Sequence, residues 1–264
     1  MLKKINNFLA QLIGIDLERF VRAILAAPRF LLDLQKFSKD CSQPLVIKPC
    51  LHDSYAQGGT ARGEYFWQDL YIARKIFQAQ PLKHVDVGSR FDGFVAHVAS
   101  YRDIEVIDIR PIQTHVPGVT FQRMDMMGDE QAPHNYCDSV SCLHALEHFG
   151  LGRYGDPIDT EGHVKGLRNL VRLLKMQGRL YLSVPVGIER VEFNANRVFS
   201  PHALLKTAET LGLALESLAW VTPNGESVHE STKPMEDLLS LQQMHYALGI
   251  FVFTKVSEPI FSGH

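Results

Sequence analysis

The chain has 264 residues, 45% of them hydrophobic, with a net charge of −2 at pH 7 and a sequence pI near 6.6. That length suits one large α/β domain, or one domain with a helical extension, and it buries a core without disulfide staples. The near-neutral balance offers no basic footprint for nucleic acid, so none is expected as a partner.

The four cysteines (Cys41, Cys50, Cys137, Cys142) form no CxxC pair and no zinc-ribbon spacing, which points to a reduced, cytoplasmic protein. Residues 1–15 lack the apolar core and cleavage site of a secretory leader. Asp16, Glu18, Arg19, Arg22 and Arg29 interrupt the apolar stretches near the N-terminus, so no bilayer span is expected there. Residues 2–38 carry helical spacing through Ile5, Phe8, Leu12, Phe20, Ile24 and Leu31, and Pro28 divides them into two helices. This segment reads as a helical cap, with peripheral membrane contact as the lesser alternative.

Residues 44–63 are rich in turn formers, with a short strand predicted at Leu45–Lys48. The loop after it brings His52, Asp53 and Tyr55 forward as substrate-side candidates, against the plainer role of surface polar groups. The expected organisation is therefore residues 1–63 as helical extension and loop, 64–256 as the main domain, and 257–264 as a tail. Glu64–Gln78 is an amphipathic helix leading into that domain.

The segment from His84 to Pro111, HVDVGSRFDGFVAHVASYRDIEVIDIRP, organises the rest. It reads as a buried strand (His84–Val87), a glycine turn, a helix (Phe91–Tyr101) and a second buried strand (Ile104–Ile109). This is a βαβ nucleotide-binding unit. Gly88 and Gly93 permit the sharp turn, the helix start offers unpaired N–H groups, and Asp108 closes the second strand where a carboxylate can take ribose hydroxyls.

A third strand (Val119–Met126) carries Asp125. A fourth (Ser139–Leu143) ends at His144-Ala145-Leu146-Glu147-His148, and a glycine-punctuated loop follows. Next come a helix (Thr160–Leu174), a fifth strand (Arg179–Pro185) and a helix capped by Ser200 with Pro201 at its first position. Strands at Leu215–Val221 and Tyr246–Lys255 complete a doubly wound, mostly parallel, seven-stranded sheet. Five strands alternate with helices before a C-terminal pair. Ligands bind such sheets outside the carboxyl ends of the strands, where Asp86–Gly88, Asp108, Asp125 and His144 fall.

Across about Tyr65–Val256 this layout resembles the class I S-adenosylmethionine-dependent methyltransferases, with their Rossmann-like fold. VDVGSRFDG resembles the cofactor loop, VIDI the ribose-binding strand end and RMDM the adenine-side acid. LHALEHF resembles the fourth-strand segment, and RLYLSVPVG followed by RVFSP the fifth strand and its exit. In these phrases, and in PCLHDSY upstream, the chain is also similar to an uncharacterised methyltransferase-like family, domain of unknown function 268. The resemblance implies S-adenosylmethionine as cofactor. Asp86 would accept from water or from the cofactor's ammonium, and Gly88, with Ser89 and Arg90 in the same loop, would lie along the methionine portion. Asp108 would bind the ribose diol, Asp125 would accept from the adenine amino group, and Ile109 and Met126 would sandwich the base; His144 lies at the same strand ends. The loop departs from the family pattern, because Arg90 and Asp92 hold the second and third glycine positions. Arg90 would clash with a sulfonium ligand, pair with Asp92 or Asp86, or contact a carboxylate or phosphate.

Methyl transfer to oxygen benefits from a general base. His148 is the first candidate, with Glu147 and Tyr154 as alternatives, while Arg197 is a candidate for gating the substrate side. The expectation is a methyltransferase acting on a small-molecule or glycan-type acceptor. The alternatives are a non-catalytic methyltransferase-like binding protein and, further off, an NAD(P)-dependent oxidoreductase reading of the same glycine turn. His144, Glu147 and His148 also spell H-x-x-E-H. That zinc motif requires one helix, whereas His144 ends a strand, so no metal is expected.

Overall fold

The computed structural model describes residues 17–51, 59, 61–128, 132–222 and 224–258. The chain divides into two units, Met1–Thr60 and Ala61–His264. Among the described residues of the first, a helix, α1, runs unbroken from Leu17 to Asp40 through Pro28. This corrects the expected break. Proline's fixed φ is itself helical, and a 24-residue helix remains continuous after losing one backbone hydrogen bond. Leu45–Lys48 forms no strand, since no neighbouring strand takes up its backbone groups among the described residues.

The second unit is built on one sheet. Its strands are β1 (His84–Val87), β2 (Ile104–Asp108), β3 (Val119–Arg123), β4 (Cys137–Leu143), β5 (Leu174–Val186), β8 (Leu213–Val221), β9 (Val228–Glu230) and β10 (Ala247–Lys255), in the order β3-β2-β1-β4-β5-β10-β8-β9. The first five are mutually parallel, whereas β10 runs antiparallel between β5 and β8. Short β9 adds an eighth strand to the expected seven. A separate hairpin, β6 (Arg190–Glu192) with β7 (Asn196–Val198), follows β5.

Alternating apolar positions send each strand's side chains to two cores. Val85, Val87 and Ile107 pack with Leu167, Leu170 and Val171 of α4 (Gly162–Leu173) on one face. Ile104 and Val106 pack with Ile72 and Ile76 of α2 (Glu64–Ala79) on the other. α5 (Pro201–Thr210) and α6 (Pro234–Gln242) extend the first layer through Leu204, Leu205, Leu238 and Leu241. Ser200 caps α5 as expected, its Oγ accepting from the Ala203 N–H at 3.3 Å.

The alternation of strand and helix is incomplete. Residues 110–118 join β2 to β3 without a helix, and the described part of the β3–β4 connection carries none either. The helix expected over Phe91–Tyr101 is a π-helical turn (Phe91–Val95) followed by the one-turn α3 (Ala96–Ala99). The turn widens because the Val95 N–H reaches back to the Arg90 carbonyl at 3.3 Å.

Candidate active site

The β1 turn is held from beneath. Gly88 has φ +73°, and a Cβ there would meet the Ala145 Cβ at 2.9 Å, so only glycine lets the turn settle against the β4 exit. Asp86 is fully buried. Its Oδ1 accepts from the hydroxyls of Ser89 (2.6 Å) and Ser141 (2.5 Å), and its Oδ2 accepts from the Ser89 N–H (3.1 Å). Asp86 and Ser89 therefore brace the loop and do not line the cleft, in contrast to the cofactor-facing role expected of Asp86. His84 continues this file, with Nδ1 2.8 Å from Ser139 Oγ and Nε2 3.2 Å from Ser141 Oγ. Burial disfavours charge on both groups, lowering His84 to about 3 and raising Asp86 to about 7 against its serine hydrogen bonds.

At the β2 tip Asp108 faces the cleft, but its carboxylate already has a partner. Arg110 Nε donates to Oδ1 (3.0 Å) and Oδ2 (3.2 Å), Nη2 donates to Oδ2 (2.5 Å), and the Arg110 N–H donates to Oδ1 (2.8 Å). The guanidinium lies 4.5 Å from the centre of the Tyr154 ring. Past β3, Asp125 Oδ1 accepts from the Met127 N–H (2.8 Å). Asn169 fastens this turn by donating to the carbonyls of Met126 (2.8 Å) and Gly128 (3.0 Å). Of the contacts considered for Arg90, the structure has the pair with Asp92 (2.8 Å), and the guanidinium sits 4.8 Å from the Tyr65 ring centre.

The β4 exit carries a charged file. His144, at φ +51°, donates from Nδ1 to Glu147 Oε1 (2.8 Å), while its Nε2 lies 3.4 Å from Glu64 Oε2. Tyr246 donates its hydroxyl to the same Glu64 oxygen (2.8 Å). Burial opposes the imidazolium, but the two carboxylates outweigh it and raise His144 to about 9. Glu147 is wholly buried, and its Oε2 has no hydrogen-bond partner among the described residues. His148 donates from Nδ1 to the Ala195 carbonyl (2.7 Å), which leaves the lone pair of the neutral ring on Nε2, 3.7 Å from Glu147 Oε1. Burial carries the His148 pKa below the ordinary imidazole value even though Glu147 pulls the other way. His144 lies outside the one-turn helix Leu146–His148, so the three residues of the zinc-like motif do not share a helix.

Arg197 is buried and bridges the two ends of the following loop. Nη1 donates to the carbonyls of Glu147 (3.3 Å) and Phe149 (2.6 Å), and Nη2 to those of Asp159 (3.5 Å) and Thr160 (3.4 Å). The loop between carries Tyr154 over the cleft and closes with Gly150, whose φ is +78°.

These elements enclose a cleft of about 670 Å³, its open mouth included, at the carboxyl ends of the parallel strands. Gly88, Arg90, Asp108, Ile109, Asp125, Met126, His144, His148 and Tyr154 all line it. Glu147 stands behind His144 and His148. Arg110, Tyr65, Met127 and Asp156 also line it and were missed from sequence. Arg110 had a local signal, since it is two residues beyond a strand-tip acid. Tyr65 had none, because α2 brings it from outside the βαβ unit. His52, Asp53 and Tyr55 lie outside the described residues.

The sheet order and the placement of this cleft define the fold of the class I S-adenosylmethionine-dependent methyltransferases, α/β and Rossmann-like. Within it, residues 115–243 match the family model described as Caenorhabditis protein of unknown function, DUF268, the family whose phrases the sequence resembles. That segment contains Asp125, His144, Glu147 and His148, but not Gly88 or Asp108. Among solved structures, the [4+2]-cyclase SpnF is similar over 75% of this chain and 86% of its own, at 15% identity and a TM-score of 0.51. The Burkholderia thailandensis 1,6-didemethyltoxoflavin-N1-methyltransferase, solved with its substrate and S-adenosylhomocysteine, is similar over 72% and 79% (13% identity, TM-score 0.47). A TehB-like S-adenosylmethionine-dependent methyltransferase from Corynebacterium glutamicum is similar over 73% and 90% (18% identity, TM-score 0.46). No curated protein matches by sequence. No helix among the described residues is long and apolar enough to cross a membrane.

Proposed function

We propose that this protein binds S-adenosylmethionine and methylates a small-molecule or glycan-type acceptor. The observation that carries the reading is the convergence in one cleft of the Gly88 turn, the carboxylates of Asp108 and Asp125, and the apolar side chains of Ile109 and Met126. Asp108 would hold the ribose diol and Asp125 the adenine amino group, with Ile109 and Met126 against the base. Gly88, which lines the cleft, would lie along the methionine portion. When bound, the cofactor supplies an electrophilic methyl group.

On the acceptor side, His148 takes the proton. The Ala195 carbonyl holds the tautomer with its lone pair on Nε2, and Glu147 stands 3.7 Å away to stabilise the imidazolium that forms. Glu147 is too deeply buried to reach an acceptor itself, which leaves it a positioning role behind His144 and His148. Tyr154, at the mouth, lies against the acceptor.

Isothermal titration with S-adenosylhomocysteine tests the reading. Micromolar binding is expected, weakened about tenfold or more in Asp108→Ala, because a charge-assisted hydrogen-bond pair is removed. NAD should give no heat. Absence of S-adenosylhomocysteine binding by the wild-type protein would refute the proposal. It would favour a non-catalytic binding protein, for which the pairing of Arg110 with Asp108 is the motivating observation.

A further inference from the structure

We infer that the mouth of the cleft is an anion subsite for the acceptor, completed when Arg110 passes from Asp108 to a carboxylate or phosphate. The inference rests on the cofactor reading above. A carboxylate offers about four acceptor positions. Those of Asp108 are taken by the Arg110 N–H, by Nε shared between both oxygens, and by Nη2. A ribose diol can engage Asp108 only if the Arg110 side chain leaves. That side chain is 43% exposed and packs on the Tyr154 ring at the cleft mouth, so it can pivot without disturbing the core.

Once released, Arg110 finds no unengaged carboxylate at the mouth among the described residues. Asp92 is paired with Arg90. Asp156 is occupied by the N–H groups of Gly150, Gly152 and Tyr154. Glu147 lies behind the wall with His144, and Asp125 faces the adenine position. A second guanidinium, Arg153, lies 5.2 Å from the centre of the same Tyr154 ring. It donates to the Ala195 carbonyl (2.9 Å) and makes no ion pair with an acidic side chain among the described residues. With cofactor bound, two guanidiniums therefore flank one tyrosine beside His148 with no carboxylate paired to either among the described residues. Planar guanidiniums on an aromatic face suit carboxylate and phosphate.

Two titrations test this. S-adenosylhomocysteine should bind Arg110→Ala and Arg110→Gln about threefold more tightly than wild type, since a half-exposed ion pair no longer competes for Asp108. Glucuronate and inorganic phosphate, as probes of the two anion classes, should bind wild type about fivefold or more tightly with S-adenosylhomocysteine present than without it. Arg110→Gln and Arg153→Gln should each abolish that gain, and methyl glucoside, the neutral control, should not bind. A preference between the two probes assigns the anion. Unchanged or weaker S-adenosylhomocysteine binding in both Arg110 variants overturns the inference and leaves the cofactor reading standing. Anion binding indifferent to S-adenosylhomocysteine, or binding of neither probe, does the same. If S-adenosylhomocysteine binds neither wild type nor the variants, the cofactor reading itself has failed, and this inference with it.

Discussion

His148 shows how much a single side chain depends on its neighbours. An imidazole can act as a base only through a free lone pair, and the Ala195 carbonyl determines which nitrogen carries it. Burial favours the neutral ring, so the proposed base is unprotonated at neutral pH. The acceptor-dependent rate should fall on the acid side as His148 charges, with its midpoint below the ordinary imidazole value near 6.5. His148→Gln should lower kcat/KM by about 10²–10⁴-fold and remove that acid limb while S-adenosylhomocysteine still binds. A pH–rate profile that keeps the same limb in the variant would exclude His148 as the base. His144, four residues earlier, is held charged by Glu147 and Glu64.

At the scale of elements, the loop between His148 and α4 is the part that the sequence least explains. Its glycines signal a turn, but its shape depends on Arg197, which arrives on β7 and satisfies carbonyls at both ends. Replacing Arg197 by Ala leaves those carbonyls unpaired and should cost about 2–4 kcal/mol in urea unfolding. Limited proteolysis should also cut within residues 149–160. Arg197→Lys should rescue little, because a point donor cannot serve both ends as a planar fork does. If Arg197→Ala unfolds like wild type and the loop resists protease, Arg197 is not the clamp. The sequence suggested a substrate-side role for Arg197, and the contacts instead place it behind the loop that carries Tyr154.

For the molecule as a whole, the file His84–Ser141–Asp86 puts ionisable groups in the middle of the sheet. The Asp86 carboxyl titrates near 3.8 when unfolded and near 7 when folded. Between those values the folded state holds a proton that the unfolded chain has lost, so this group's contribution to stability declines as pH rises through the window. Asp86→Asn removes the titration and keeps a carbonyl acceptor. Urea unfolding at pH 4.5 and 7.5 should show the wild type losing stability relative to the variant, by a difference on the order of a few kcal/mol. Equal changes in both proteins would mean that Asp86 does not titrate in this range.

The sequence by itself determined the elements whose cause is local. Strand periodicity located β1, β2 and β4, and Ser200-Pro201 marked the start of α5. Asp108 was recognisable because a carboxylate at a strand tip needs only that strand to place it, whereas Asp125 lies two residues past β3. Tertiary structure decided which way each polar group faces. Asp86 turns inward because Ser141, 55 residues later, meets it across β1–β4. Glu64 and Tyr246 meet at His144 from 182 residues apart. Arg110, two residues past the β2 tip, neutralises Asp108. Backbone patterns follow from neighbours along the chain, whereas the charge balance of a cleft is set by residues that only the folded sheet brings together.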